Sequence, residues 1–209
     1  MESAARAIKS AMAAELPLPD GRRERSLANR RKIINATVDL VAAGDPNPSA
    51  ASVAAKAGVG LRSVFRHFQD KDSMLREIDD LLVKAYRPIL AAPYKGKRWH
   101  QQLFELIERR CAVNECVVVF RLSSVLARYR SPFAVEKSRE LHTGEKRMLD
   151  DVLPRNLQTS TKFGRSIMVA TSFDTWRLLR QDERLPPDCT VRTIKDMVTG
   201  ILASAERGQ

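Results

Sequence analysis

Residues 49–71 read SAASVAAKAGVGLRSVFRHFQDK. Two short helical patterns meet there at Gly58. Ser49 is placed to cap the first, because a serine hydroxyl accepts one of the orphan N–H groups of a first turn. Val53, Ala54 and Ala57 give that helix a face of small side chains, which lets a second helix cross closely. Gly58 turns the chain at no Cβ cost. The second helix is predicted from about Leu61 to Phe68, with Val64 and Phe68 pointing inward.

Two short helices about a tight turn form a helix-turn-helix, the unit that sets its second helix in the DNA major groove. Leu61, Arg62, Ser63 and Arg66 can share the outward side of that helix. Arginine bonds guanine O6 and N7 with two parallel hydrogen bonds, so Arg62 and Arg66 are the candidates for base readout, and Leu61 suits a thymine methyl. Ser49, Ser63, His67 and Lys71 are of types that hold phosphates, contacts that fix register rather than sequence. Alone, Arg66 would read as a solvated surface arginine; the constellation around it makes DNA contact the better reading. His67 has a second reading, a structural histidine packed at the helix end.

Upstream, apolar residues recur at helical spacing from Ser26 to Ala43, ended by Gly44, Pro46 and Pro48. The cluster Arg22, Arg23, Arg25, Arg30, Arg31 and Lys32 reads equally as a solvated helix face or as an arm or helix start lying along phosphates or reaching the minor groove. A short helix from Ala4 to Leu16, broken at Pro17 and Pro19, reads as an N-terminal extension. Downstream, a helix carrying Met74, Leu75, Ile78, Leu81 and Leu82 is expected to end near Pro88, Pro93 and Gly96. Further helices follow at Trp99–Val113, Cys116–Tyr129, Ser131–Val152, Ser160–Gln181 and Asp188–Ala205. The fold class is therefore all-α, with residues 1–21 as the extension, 22–71 as the helix-turn-helix domain and 72–209 as a second helical domain.

From Arg31 to Lys71 the chain resembles the TetR family of transcriptional regulators. The resemblance lies in Ile33-Ile34, Ala36-Thr37, Leu40-Val41, Ser49, Val53-Ala54, Ala57-Gly58-Val59-Gly60, Ser63-Val64-Phe65, His67-Phe68 and Lys71. Three positions depart from the family pattern. Gly60 stands where serine is usual, Arg62 replaces a glycine, and Phe65 replaces a tyrosine, so no phenolic hydroxyl reaches a phosphate. The resemblance implies DNA contact by Ser49, Gly60, Leu61, Arg62, Ser63, Phe65, Arg66, His67 and Lys71. It also implies a C-terminal domain that binds a small molecule and forms a homodimer through its last two helices on a palindromic operator.

In the last helix Val191, Ile194, Val198, Ile201 and Ala205 form a narrow seam; in the one before, Phe163, Ile167, Ala170, Asp174 and Leu178 form a stripe, with Gly164 and Thr171 allowing close approach. Read alone, these suit packing within the chain or against a second copy; the resemblance implies the second copy. Trp99, Phe104, Cys111, Phe120, Met168, Phe173 and Trp176 are candidates for lining an apolar ligand cavity, though each also suits ordinary core.

The formal charge of the 209 residues is +11, which draws the chain toward polyanions. No apolar run nears the roughly 20 residues that span a bilayer, and no secretory signal is evident, so a cytoplasmic protein with no membrane partner is expected. Cys111, Cys116 and Cys189 have no metal-ligand spacing; neither metal nor cofactor is expected. No HExxH, GxSxG, Ser-x-x-Lys or phosphate-cradling glycine loop occurs, which argues against an enzyme. The remaining alternative is an architectural DNA-binding protein without ligand control, which would bind all sequences alike.

Overall fold

The computed structural model describes residues 6, 21–129 and 131–207. Of the predicted N-terminal helix only Arg6 is described, in helical backbone; the rest of it, Pro17, Pro19 and the side chains of Arg22 and Arg23 lie outside what is described. From residue 21 on, the described residues form nine α-helices: α1 (Gly21–Ala42), α2 (Ala50–Ala57), α3 (Leu61–His67), α4 (Lys71–Ala91), α5 (Trp99–Ala127), α6 (Pro132–Asp150), α7 (Lys162–Ala170), α8 (Phe173–Arg177) and α9 (Pro187–Arg207). A 3-10 turn occupies Arg155–Leu157, and a π turn, Leu178–Asp182, extends α8. The described residues contain no strand, so the all-α class holds. The chain divides into two compact units. One takes in the chain up to Pro88 with Cys116–Ser138; the other takes in Ile89–Glu115 and Arg139 onward.

The first unit is built on α1. Ile33, Ile34 and Val38 are fully buried, and Ala36, Thr37 and Val41 extend the same face. Both α2 and α3 pack against it, adding Val53, Ala54, Val64 and Phe68 to the core. Thr37 is buried without penalty because its hydroxyl donates to the Ile33 carbonyl at 2.9 Å. Helix α4 is capped by Asp70, whose carboxylate accepts the Ser73 N–H at 2.7 Å. That backbone bond holds the Asp70 carboxyl below its usual range. One face of α4 receives the start of α6: Ser131 Oγ donates to Asp72 at 2.8 Å, Arg76 lies over the Phe133 ring at 4.6 Å, and Lys137 pairs with Asp79 at 2.8 Å.

Helix α4 runs through Pro88 and ends at Ala91, inside the expected window from Pro88 to Gly96, although Pro88 has no N–H for the Lys84 carbonyl and its ring crowds that group. Two other expected elements change. The two helices expected across 99–129 are one, since nothing between Val113 and Cys116 is a glycine or proline. The single helix expected over 160–181 is two. Thr171 leaves helical backbone, with φ −99° and ψ 8°, and the Ser172 hydroxyl accepts the Thr175 N–H at 3.2 Å to cap α8. Serine and threonine side chains compete for backbone groups in this way.

In the second unit Leu103, Leu106, Ile107, Leu149, Ile167, Ile194 and Val198 form the core. Helix α9 packs on α7, and the expected seam is spent there. Ile194, Val198 and Ala205 are buried within the unit, joined by Thr190, while Val191 and Ile201 are half-buried. The stripe before it splits at the helix break: Ile167 and Ala170 are buried, Asp174 and Leu178 exposed. Arg110, 6% exposed, is held by Thr171 at 3.3 Å and Glu145 at 3.6 Å. Arg180 grips both oxygens of Glu115, at 2.5 and 3.0 Å. Of the candidate cavity residues, Phe120 falls in the first unit and the other six in the second. Burial pushes the Cys111 thiol up to about 11, so it stays protonated and inert.

Gly164 makes the close approach of α7 to the preceding turn possible. A Cβ there would sit 1.9 Å from the Gln158 carbonyl oxygen and 2.3 Å from its carbon. The obstacle is backbone, which cannot step aside. Gly164→Ala is expected to destabilise the protein by about 3 kcal/mol, seen as a lower denaturant midpoint. An unchanged midpoint would mean that this approach is not rigid.

Candidate nucleic-acid interface

The α2–α3 turn is set by one residue. Gly58 closes α2 in the left-handed region, φ +64° and ψ 36°, with its N–H bonded to the Ala54 and Ala55 carbonyls. An L side chain pays about 1–2 kcal/mol in that conformation. Two residues on, Gly60 occupies the N-cap of α3 in extended backbone and supplies no side-chain cap. A Cβ there would meet nothing within 4 Å, so the site has room for the serine that the family pattern carries.

Burial of Val64 fixes the rotation of α3. Leu61, Arg62, Phe65 and Arg66 then face outward together. Phe65 is 57% exposed and Leu61 46%, an unusual investment of apolar surface in solvent unless something covers it. Two apolar side chains flanked by two guanidinium groups match the major-groove edge, which offers thymine methyls beside guanine acceptors. Phe65, a DNA-contact candidate by resemblance alone, lies one turn after Leu61 on the same exposed face.

The other candidate residues form the margins. Ser49 is exposed and caps α2, its Oγ accepting the Ser52 N–H at 3.0 Å. Lys71, also exposed, reaches back to the Asn47 side chain and to the Pro48 carbonyl at 3.5 Å. Its ammonium therefore lies beside the entry to α2, near Ser49. Ser63 is half-buried. His67 turns inward: its Nε2 is buried and has no hydrogen-bond partner. Burial, then the neighbouring Arg66 and Arg30 charges, lower its pKa from the usual 6.5. Its second reading, a structural histidine, describes this geometry.

The basic cluster lies in the first turns of α1. Residues 21–42 are helical, and Arg30 is drawn inward. Its guanidinium donates to Glu77 at 2.8 Å and to the His67 carbonyl at 2.6 Å, and its Cζ lies 4.3 Å from the Phe68 ring centroid. Sequence reasoning missed this residue among its neighbours. The available signal was its spacing: residues 30, 33, 34, 37 and 38 follow one helical face, so Arg30 continues the buried stripe by one turn.

The described residues include no group of His, Cys, Asp or Glu side chains able to hold a metal. None of their helices is long and apolar enough to cross a membrane. No family model matches the chain, and no curated protein matches it. The fold is similar to that of the crystal structure of a transcriptional regulator from Rhodococcus sp. Rha1. The TM-score is 0.60 at 17% identity, covering 86% of this chain and 96% of that one. The likeness thus extends over both units and is one of fold.

The His67 environment carries a pH signature. A histidine whose folded pKa is depressed favours the neutral form, so its contribution is present above about pH 6.5 and is lost as pH falls through the folded value. The melting temperature is expected to fall on acidification from pH 7.5 to 5.5, and His67→Gln to flatten that part of the profile. An identical profile for the variant would remove His67 as its source.

Proposed function

We propose that this chain is a sequence-specific DNA-binding transcriptional regulator of the TetR type. It acts by binding rather than catalysis, as a homodimeric repressor released from a palindromic operator by a small molecule. The observation that carries the DNA-binding role is the outward face of α3, where Arg62 and Arg66 flank Leu61 and Phe65 on a helix held by the Gly58 turn. Arg62 and Arg66 read bases, Leu61 and Phe65 cover thymine methyls, and Ser49, Gly60, Ser63 and Lys71 lie along phosphates. The shared fold with a solved transcriptional regulator supports the same role.

Dimerisation follows from the resemblance and from what is left in solvent. Ile89 apart, the exposed large apolar side chains of the second unit are Val169, Leu178 and Met197, all on the last elements of the chain. With the Ile194–Val198 seam already buried, the contact between copies uses this other surface. Ligand release rests on the resemblance.

The two classes of contact separate by variant. Arg66→Ala should weaken the preferred duplex by about 1–3 kcal/mol and relax base preference at one position. Lys71→Ala should weaken preferred and mixed-sequence duplexes alike and reduce the slope of log affinity against log salt by about one. Binding curves for both duplexes across a salt series measure this. Unchanged base preference in the first variant, or a loss confined to one sequence in the second, would contradict the assigned roles.

A further inference from the structure

We propose that Arg30, anchored by Glu77, sets the orientation of α3, and so serves DNA recognition as a positioning residue rather than as a phosphate ligand. The inference rests on the DNA-reading role proposed above for α3. Helix α3 is only seven residues long, and its N-cap Gly60 gives no side-chain cap. A helix of two turns has little stability of its own, and its last carbonyls lack intrahelical partners. Arg30 takes one of them, the His67 carbonyl, at 2.6 Å. It is itself fixed by Glu77, whose Oε2 lies 2.8 Å from Nε and 2.5 Å from the second amino nitrogen. The flat of the guanidinium covers Phe68, the residue that closes α3.

All three guanidinium nitrogens are thus engaged within the unit, which commits three of the five N–H donors of the side chain. The hold also uses what lysine lacks, a planar fork with donors in several directions. Its effect falls on readout because Arg66 precedes His67 directly. Paired hydrogen bonds to a base edge need their donors held to within about 0.5 Å, whereas a flexible lysine on a phosphate tolerates a shift. Loosening the end of α3 should therefore cost specific binding and spare non-specific binding.

The test uses the full chain, its preferred duplex and a mixed-sequence duplex, with Arg30→Lys, Arg30→Met, Glu77→Gln and the Arg30→Met/Glu77→Gln double variant. Arg30→Lys keeps the charge and should lose about tenfold on the preferred duplex, the scale of one charge-assisted hydrogen bond. Its mixed-sequence affinity and salt slope should stay at wild-type values. Glu77→Gln should lose less, and the double variant no more than Arg30→Met alone. Thermal unfolding checks that each variant is folded; where Arg30→Met is not, Arg30→Lys and Glu77→Gln carry the result. Equal losses on both duplexes with a shallower salt slope would make Arg30 a phosphate ligand. Unchanged specific affinity, or additive losses in the double variant, would also overturn the positioning role. A wild-type protein with no preferred duplex would instead overturn the reading of α3 itself.

Discussion

Burial of one stripe of α1 holds up the rest of the first unit. Ile33, Ile34 and Val38 have no exposed surface, and each such side chain contributes about 1.5–3 kcal/mol on leaving water. Helices α2 and α3, eight and seven residues long, are far below the length at which an isolated helix persists. They are helical because Val53, Ala54 and Val64 find this surface. The same contact decides what α3 shows to the outside: with Val64 down on α1, Leu61, Arg62, Phe65 and Arg66 must face away. The proposed reading face follows from the position of the core.

Much of this unit was legible because it is local. The Ser49 cap, the Gly58 turn and the inward Val64 and Phe68 are each specified by a few neighbouring residues, and all occur as expected. Helix ends were less legible where residue type alone was used. Two helices were expected where one spans residues 99–127, with no glycine or proline to divide it. The break at Thr171–Ser172 came from hydroxyl groups bonding to backbone, which apolar periodicity does not register. The α9 seam shows a further limit. Spacing identified the buried face, but a seam looks the same whether its partner is α7 or a second copy.

The cations show why a net charge of +11 overstates what is offered to a polyanion. Arg30 is occupied by Glu77 and His67, Arg110 by Glu145 and Thr171, and Arg180 by Glu115. Arg109 is directed to the Pro93 carbonyl at 2.8 Å and lies over the Tyr94 ring. These arginines hold helices and loops together, where a planar fork matters. Arg62 and Arg66 differ from them in position: both are exposed on a helix whose buried side is apolar. Residue type is shared across the two groups, and packing separates them.

Selection of bound molecules from random duplex DNA by the purified chain tests at once whether α3 reads sequence and whether two copies do so together. Paired reading by two α3 helices requires a consensus of two inverted half-sites whose centres lie about one helical turn, or a multiple of it, apart. Affinity for that consensus should exceed that for mixed sequence by on the order of 10³ or more at fixed salt. Recovery of DNA with no enriched sequence would contradict it and identify an architectural binder instead.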